Sequence, residues 1–156
     1  MIRMHEVTFC TASRVDADYV NSRLREADKK EIIASGSVVK GAVWESVRLS
    51  EYAWTGLIDR EPAMVFGIDH GTLSPEAEIW ALGTDKCTAA PREMLYYGRQ
   101  KIAELLEYWP VLTNYCHADN ALALRWLKHL GFEISAPEPT GVHGEKFCKI
   151  TIRKRG

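Results

Sequence analysis

The sequence lacks any apolar run long enough to form a membrane-spanning helix, so no integral membrane role is expected. It also lacks an excess of either charge: 20 Lys and Arg stand against 21 Asp and Glu, for a net charge of -1. With the two signs interspersed, no long-range field draws the chain to phosphate or anionic lipid, which sets nucleic acid aside as a partner. The basic cluster Arg153, Lys154 and Arg155 reads as a solvated tail. Cysteine is sparse: Cys10, Cys87, Cys116 and Cys148 lie far apart with no C-x-x-C pair, which argues against a zinc knuckle or a redox motif. His5, His70, His117, His129 and His143 show no ligand spacing, so no metal site is expected. From Met1 to His5 there is no basic region leading into an apolar stretch, so no secretory signal is expected and a reducing cytosol is the simplest setting. Internal repeats and low-complexity stretches are absent as well.

What is present is core-forming material. A chain of 156 residues, 46% of them hydrophobic, is expected to form a single domain over 1–156. Val7, Thr8, Phe9 and Cys10 suit a first strand between Glu6 and Ala12, and Ser13 to Asp16 offers capping residues for a helix running to about Ala27. Val20, Leu24 and Ala27 mark its apolar face. Gly36 and Gly41 then loosen the chain before a shorter helix, Val43 to Ser50. Strands are expected at Tyr52 to Ile58 and Ala63 to Ile68 around a polar turn, Asp59 to Pro62, and, after a loop from His70 to Pro75, at Glu78 to Thr84.

Pro91 sits where a first helical turn tolerates proline, since the missing N–H has no intrahelical partner there. The helix it opens carries Leu95, Ile102, Leu105, Leu106 and Trp109 on one face, and Pro110 helps to stop it. Val111 to His117 reads as a strand, and Asp119 or Asn120 caps a last helix whose buried stripe is Ala123, Trp126, Leu127 and Leu130. Gly131 ends that helix in the left-handed conformation. Strands around Phe132 to Ala136 and Lys146 to Ile152 close the chain, with Pro137 to Gly144 as a turn between them. The order β-α-α-β-β-β-α-β-α-β-β is that of an α/β (α+β) fold, a mixed sheet with helices packed against it.

The run from Asn114 to Phe132, with Asn120, Ala123 three residues on, and the ending Gly131 and Phe132, resembles the strand, helix and Gly-Phe ending of the GNAT N-acetyltransferases. Separate segments over the second half to two thirds of the chain are similar, in order, to a phage family, the internal virion protein (internal core protein A) of short-tailed phages. They are Phe66 and Gly67, Trp80 to Asp85, Pro91 and Arg92, Tyr108 to Asn114, and Arg125 to Phe132. Both likenesses imply a GNAT-like, mostly antiparallel sheet flanked by helices.

The GNAT resemblance implies a specific chemistry. Such enzymes hold the diphosphate of acetyl-CoA on backbone N–H groups at a helix N-terminus, in a loop of the pattern R/Q-x-x-G-x-G/A. The matching stretch here, Lys86 to Glu93, contains no glycine. Ala89 and Ala90 hinder close backbone approach, Pro91 removes a donor, and Glu93 puts negative charge where phosphate would sit. Lys86 and Arg92 either offset this or are simply solvated. If acetyl-CoA binds, the resemblance places it along Leu82, Gly83, Thr84, Thr88, Ala89 and Arg92. Gly83 and Thr84 lie where strands of this fold bend apart.

The tyrosine that commonly reprotonates the leaving thiolate lies seven residues after the motif asparagine, and counting from Asn120 reaches Leu127. Tyr115, Tyr96 or Tyr97 would have to substitute, or else these aromatics are core. Glu78 and His117 are the candidates for the general base, with Asn120 beside them as motif residue or plain helix cap. Two main readings follow. In the first, the eroded motifs leave a phage or prophage protein in the virion or host cytoplasm, binding a phage or host protein without acetyl transfer. In the alternative, the chain is a divergent acetyl-CoA-dependent N-acetyltransferase. A third reading is a scaffold that dimerises through Trp44, Trp54 or Trp109, should any of them be exposed.

Overall fold

A computed structural model describes residues 4–70 and 75–155. The expected loop from His70 to Pro75 falls mostly on 71–74, outside the described residues. The first strand, β1 (Val7–Thr11), leads to α1 (Arg14–Asn21), whose N-cap Ser13 accepts a hydrogen bond from the Asp16 N–H. The helix expected to reach Ala27 stops six residues early. At its end the Ser22 hydroxyl donates to the Tyr19 carbonyl, and Leu24 leaves the helix to bridge to Thr84 and bury itself in the core. A second helix, α2 (Glu26–Ala34), follows where no element was expected, and α3 (Ala42–Leu49) matches the third helical segment.

The strands β2 (Tyr52–Ile58) and β3 (Glu61–Asp69) form a hairpin. The expected four-residue turn tightens to two, Asp59 and Arg60, both with positive φ (50° and 67°), the twist that suits a two-residue hairpin loop. Asp59 is held from both sides: its carboxylate accepts from the Glu6 N–H and its own N–H donates to the Glu6 carbonyl. Pro62 joins the strand opposite the bulge between Gly56 and Leu57, where the ladder is interrupted and a missing donor is tolerated.

Then come β4 (Ala77–Gly83), a 3-10 turn (Asp85–Ala89), α4 (Pro91–Tyr108), β5 (Val111–His117), α5 (Ala121–Leu130), β6 (Glu133–Ile134) and β7 (Phe147–Arg153). The seven strands form one sheet in the order β1-β2-β3-β4-β5-β7-β6. Every neighbouring pair is antiparallel except β4 with β5. The sequence-based order thus gains one helix and keeps its strands, and the α/β class with a mostly antiparallel sheet holds.

Strand alternation gives the sheet two apolar faces. Met64, Phe66 and Ile68 of β3 pack toward α4 and α5 with Leu105, Leu106, Leu112 and Ile150. Val65 faces the other way, with Trp80 and Leu82 of β4, onto Ala17, Val20, Ile32 and Val43 of α1 to α3. Trp44, Trp54 and Trp109 are each partly buried against one of these clusters. Among the described residues no helix is long and apolar enough to cross a membrane.

Gly67 has a specific steric reason. The Trp80 ring lies flat against it across the β3–β4 pair, and a Cβ built at Gly67 would stand 2.7 Å from three ring atoms. The ring cannot yield freely, since its Nε1 donates to Ser50 Oγ at 2.7 Å. Gly67→Ala is therefore expected to destabilise the fold by about 1–3 kcal/mol, the range for overpacking a filled core, with a matching fall in the urea midpoint and an unchanged slope.

Candidate functional site

The site begins with a defect in the sheet. β4 and β5 pair through only Ala77 with Leu112 and Glu78 with Thr113, and beyond these they separate. Asn114 sits at the fork, its Nδ2 donating to the Ile79 carbonyl at 2.5 Å. Below it the two strand edges face each other across a gap. Alternation fixes which backbone groups look into it: the Thr84 N–H turns to β3 and bonds the Ala63 carbonyl, so those of Gly83 and Ala81 turn to the gap. A cavity of about 320 Å³ opens here. Its walls are largely apolar, from Ile79, Met94, Ile102, Trp126 and Leu127 among others, with polar groups that include Asp28, Glu31, Asn114, Asn120, Arg25 and Lys101.

α2 lies across the open end of this fork. At its N-terminal end Asp28, 3% exposed, accepts the Gly83 N–H at 2.8 Å, and the Arg25 N–H donates to the Gly83 carbonyl at 3.0 Å. Arg25 closes the unit with a two-nitrogen contact to the Asp28 carboxylate at 3.1 and 3.2 Å. One turn on, Glu31 Oε1 accepts from the His117 N–H at 2.9 Å, from Asn120 Nδ2 at 3.1 Å and from the Cys116 thiol at 3.4 Å. The span from Arg25 to Glu31, roughly 9 Å at the helical rise, thus ties the end of β4 to the end of β5.

The sequence-nominated residues fall into two groups. His117 and Asn120 come together through Glu31. Asn120 is the N-cap of α5, its Oδ1 accepting from the Ala123 N–H at 3.3 Å while its Nδ2 serves Glu31. The His117 ring accepts from the Asp119 N–H through Nδ1 and packs edge-on against Phe147. Glu78 stands apart, at the closed end of the fork and outside the cavity wall. Its carboxyl is held above the usual range, by partial burial first and by Asp69 across the strand pair second.

Of the cofactor candidates, Gly83 and Thr88 line the cavity, although both backbone groups of Gly83 are taken by α2. Leu82 packs into the opposite face, the Thr84 hydroxyl is spent on the Ala63 carbonyl, and Ala89 is exposed on the 3-10 turn. Arg92 is exposed at the start of α4, whose N-cap Ala90 offers no side-chain acceptor. Lys86 is held by Glu61. Leu127 is in the cavity wall, where it cannot act as an acid, while Tyr96 and Tyr97 meet edge to face on α4. Tyr115, half exposed, reaches the cavity rim.

Two cysteines line the cavity, and burial disfavours the thiolate form of both. Burial pushes the Cys87 thiol up to about 11, and the S–H donates to the Ala63 carbonyl. Burial and then the charge of Glu31 push the Cys116 thiol up further, so it stays protonated and acts as a donor. All four cysteines are unbridged. Sequence reasoning passed over Arg25, Asp28 and Glu31. The available signal was that Leu24, Asp28 and Ile32 recur at helical spacing, which sets a carboxylate in line with two core positions.

Whether acetyl-CoA suits these residues can be judged by its parts. The gap between β4 and β5 suits an extended amide-bearing arm: the Ala81 backbone faces it, and Trp126 Nε1 is a buried donor with no hydrogen-bond partner among the described residues. The diphosphate end is thinner, with the first-turn N–H groups of Arg92 and Glu93 and the Arg92 guanidinium as donors.

No protein-family model matches the chain, and no curated protein matches it in sequence. Solved structures do. A GNAT-family acetyltransferase from Bacillus anthracis superposes with a TM-score of 0.70 at 10% identity, covering 97% of each chain. Ard1 from Thermoplasma volcanium gives 0.69 at 14% identity, over 96% of this chain and 99% of its own. A Bacillus subtilis acetyltransferase in complex with CoA gives 0.59 at 12% identity, over 97% and 99%.

Asp28→Ala strands the Gly83 N–H and leaves the partly buried Arg25 guanidinium without its carboxylate, so chemical denaturation is expected to show a loss of about 1–3 kcal/mol. Glu78→Gln removes a like-charge neighbour of Asp69. A raised carboxyl pKa favours the folded state only while the group is protonated, so its cost grows as pH rises through that pKa. The variant should gain about 0.5 kcal/mol at pH 7, the scale of an unfavourable cross-strand pair, and the gain should shrink toward pH 4 in paired urea melts. The seven-stranded sheet, with its single parallel, splayed junction, thus takes the fold of these solved acetyltransferases, one of them of the GNAT family.

Proposed function

We propose that the protein is an acetyl-CoA-dependent N-acetyltransferase. The observation that carries this reading is the fork between β4 and β5, which opens a cavity bounded by polar groups from α2, β5 and α5 at the level of Glu31. A purely structural sheet gains nothing from leaving strand edges unpaired, because each unpaired buried backbone group costs stability. The gap has a use if an extended ligand completes it.

In this reading Ala81, Asn114 and Trp126 hold the pantetheine arm, and the first turn of α4 with Arg92 receives the diphosphate. When bound, the cofactor supplies an activated acyl thioester. The chain's own residues do the rest: the apolar wall of Met94, Ile102 and Leu127 excludes water from the arm, and Asn120 fixes the start of α5 beside the reacting end. The missing glycine loop weakens the grip on the nucleotide without closing the channel. The finer likeness to phage internal virion proteins supports a different role, a virion-associated or host-directed binding protein. That role rests on sequence segments alone and makes no use of the fork.

Calorimetric titration decides between them. Acetyl-CoA and CoA are both expected to bind with one-to-one stoichiometry, and Arg92→Ala should weaken them roughly two- to fivefold, the scale of one exposed ionic contact. Absence of heat at millimolar ligand would overturn the enzyme reading, and copurification with assembled phage particles would then favour the other.

A further inference from the structure

Resting on the acetyltransferase reading, we infer that Glu31 of α2, and not Glu78 or His117, is the residue that receives the acceptor amine and carries its proton. The placement of its carboxylate supports this. Glu31 lines the cavity of the fork. Its hydrogen-bond partners His117 and Asn120 line a second recess of about 380 Å³, together with Lys30, Asp119 and Glu145, and Asn120 borders both.

Glu31 is only partly buried, and its two oxygens are differently placed. Oε1 is saturated by the His117 N–H, Asn120 Nδ2 and the Cys116 thiol, which fixes the plane of the carboxylate. Oε2 has no hydrogen-bond partner among the described residues, so it is the oxygen left for a ligand. A carboxylate held through one oxygen with the other unoccupied suits an ammonium, because charge-assisted N–H to carboxylate bonds are the stronger kind. Glu78 has no comparable setting, being outside both recesses. The His117 ring is already used by the Asp119 N–H at Nδ1.

The role also answers the loss of the tyrosine at Leu127. The bound ammonium would first give one proton to Oε2, which releases it to water and frees the nitrogen lone pair. As the C–N bond forms and the thioester C–S bond breaks, the nitrogen loses a second proton and the leaving sulfur gains one. Passing this second proton through Oε2 returns Glu31 to its carboxylate form, so the atoms balance with one proton released to water and no second acid.

The test uses the full chain and a small probe, n-propylammonium chloride, with neutral n-propanol as its control. In two-dimensional amide NMR, n-propylammonium is expected to move the His117 backbone and Asn120 side-chain signals, and n-propanol to leave them in place. Glu31→Gln retains an oxygen to accept from the His117 N–H, Asn120 Nδ2 and the Cys116 thiol, so it should fold like the parent, as its amide spectrum in the absence of probe would show. It should weaken the n-propylammonium response roughly tenfold or more, the scale of losing a hydrogen bond to a charged group. An equal response in Glu31→Gln, an equal response to n-propanol, or no response in the parent would overturn the assignment. Failure of CoA to bind the parent would instead sink the acetyltransferase reading and leave the amine result to be judged by itself.

Discussion

The structure depends on one tie: the carboxylates of Asp28 and Glu31 hold together two strands that pair at one end only. Once β4 and β5 part after Glu78 and Thr113, the amides of Gly83 and His117 lack ladder partners, and an orphan buried there would be costly. Asp28 takes the first amide and Glu31 the second. Helix α2 thus replaces a missing stretch of parallel ladder with side-chain acceptors. That substitution keeps a cavity where hydrogen bonds would otherwise have closed the sheet.

The same arrangement shapes the chemistry. Because α2 occupies both backbone groups of Gly83, a ligand entering the fork meets β4 chiefly at Ala81, one pleat further in. The first turn of α4 holds Pro91 and Glu93 and no glycine through which a phosphate could approach the backbone. In the acetyltransferase reading proposed above, the fork is therefore the better formed part of the site and the phosphate seat the poorer one. Affinity in that reading comes from the enclosed apolar wall and from Trp126 Nε1, the buried donor in it.

Much of the architecture could be read directly. β2 and β5 were legible to the residue, since β-branched and aromatic residues bounded by turn formers leave little choice. Pro91, Asn120 and Gly131 marked helix ends because each has a local stereochemical or hydrogen-bonding reason to be there. α2 was illegible for the opposite reason. Its buried face carries Asp28 beside Ile32 and Ala34, so the apolar period is interrupted at the position where the helix does its work. The break before it, at Ser22 to Arg25, answers a tertiary demand, the bridge from Leu24 to Thr84.

The sequence by itself determined the fold class, the strand and helix-end punctuation, the absence of a glycine phosphate loop and the aliphatic Leu127 in place of an acid. These are properties of residue type and spacing, which need no partner to be read. Only the tertiary structure decided which polar groups meet. Glu31 lies 86 positions from His117 and 89 from Asn120, and no local period links them. Their meeting follows from where β4 and β5 part and from the helix laid across the opening, which is set by packing of the whole sheet and is not written in any short stretch of chain.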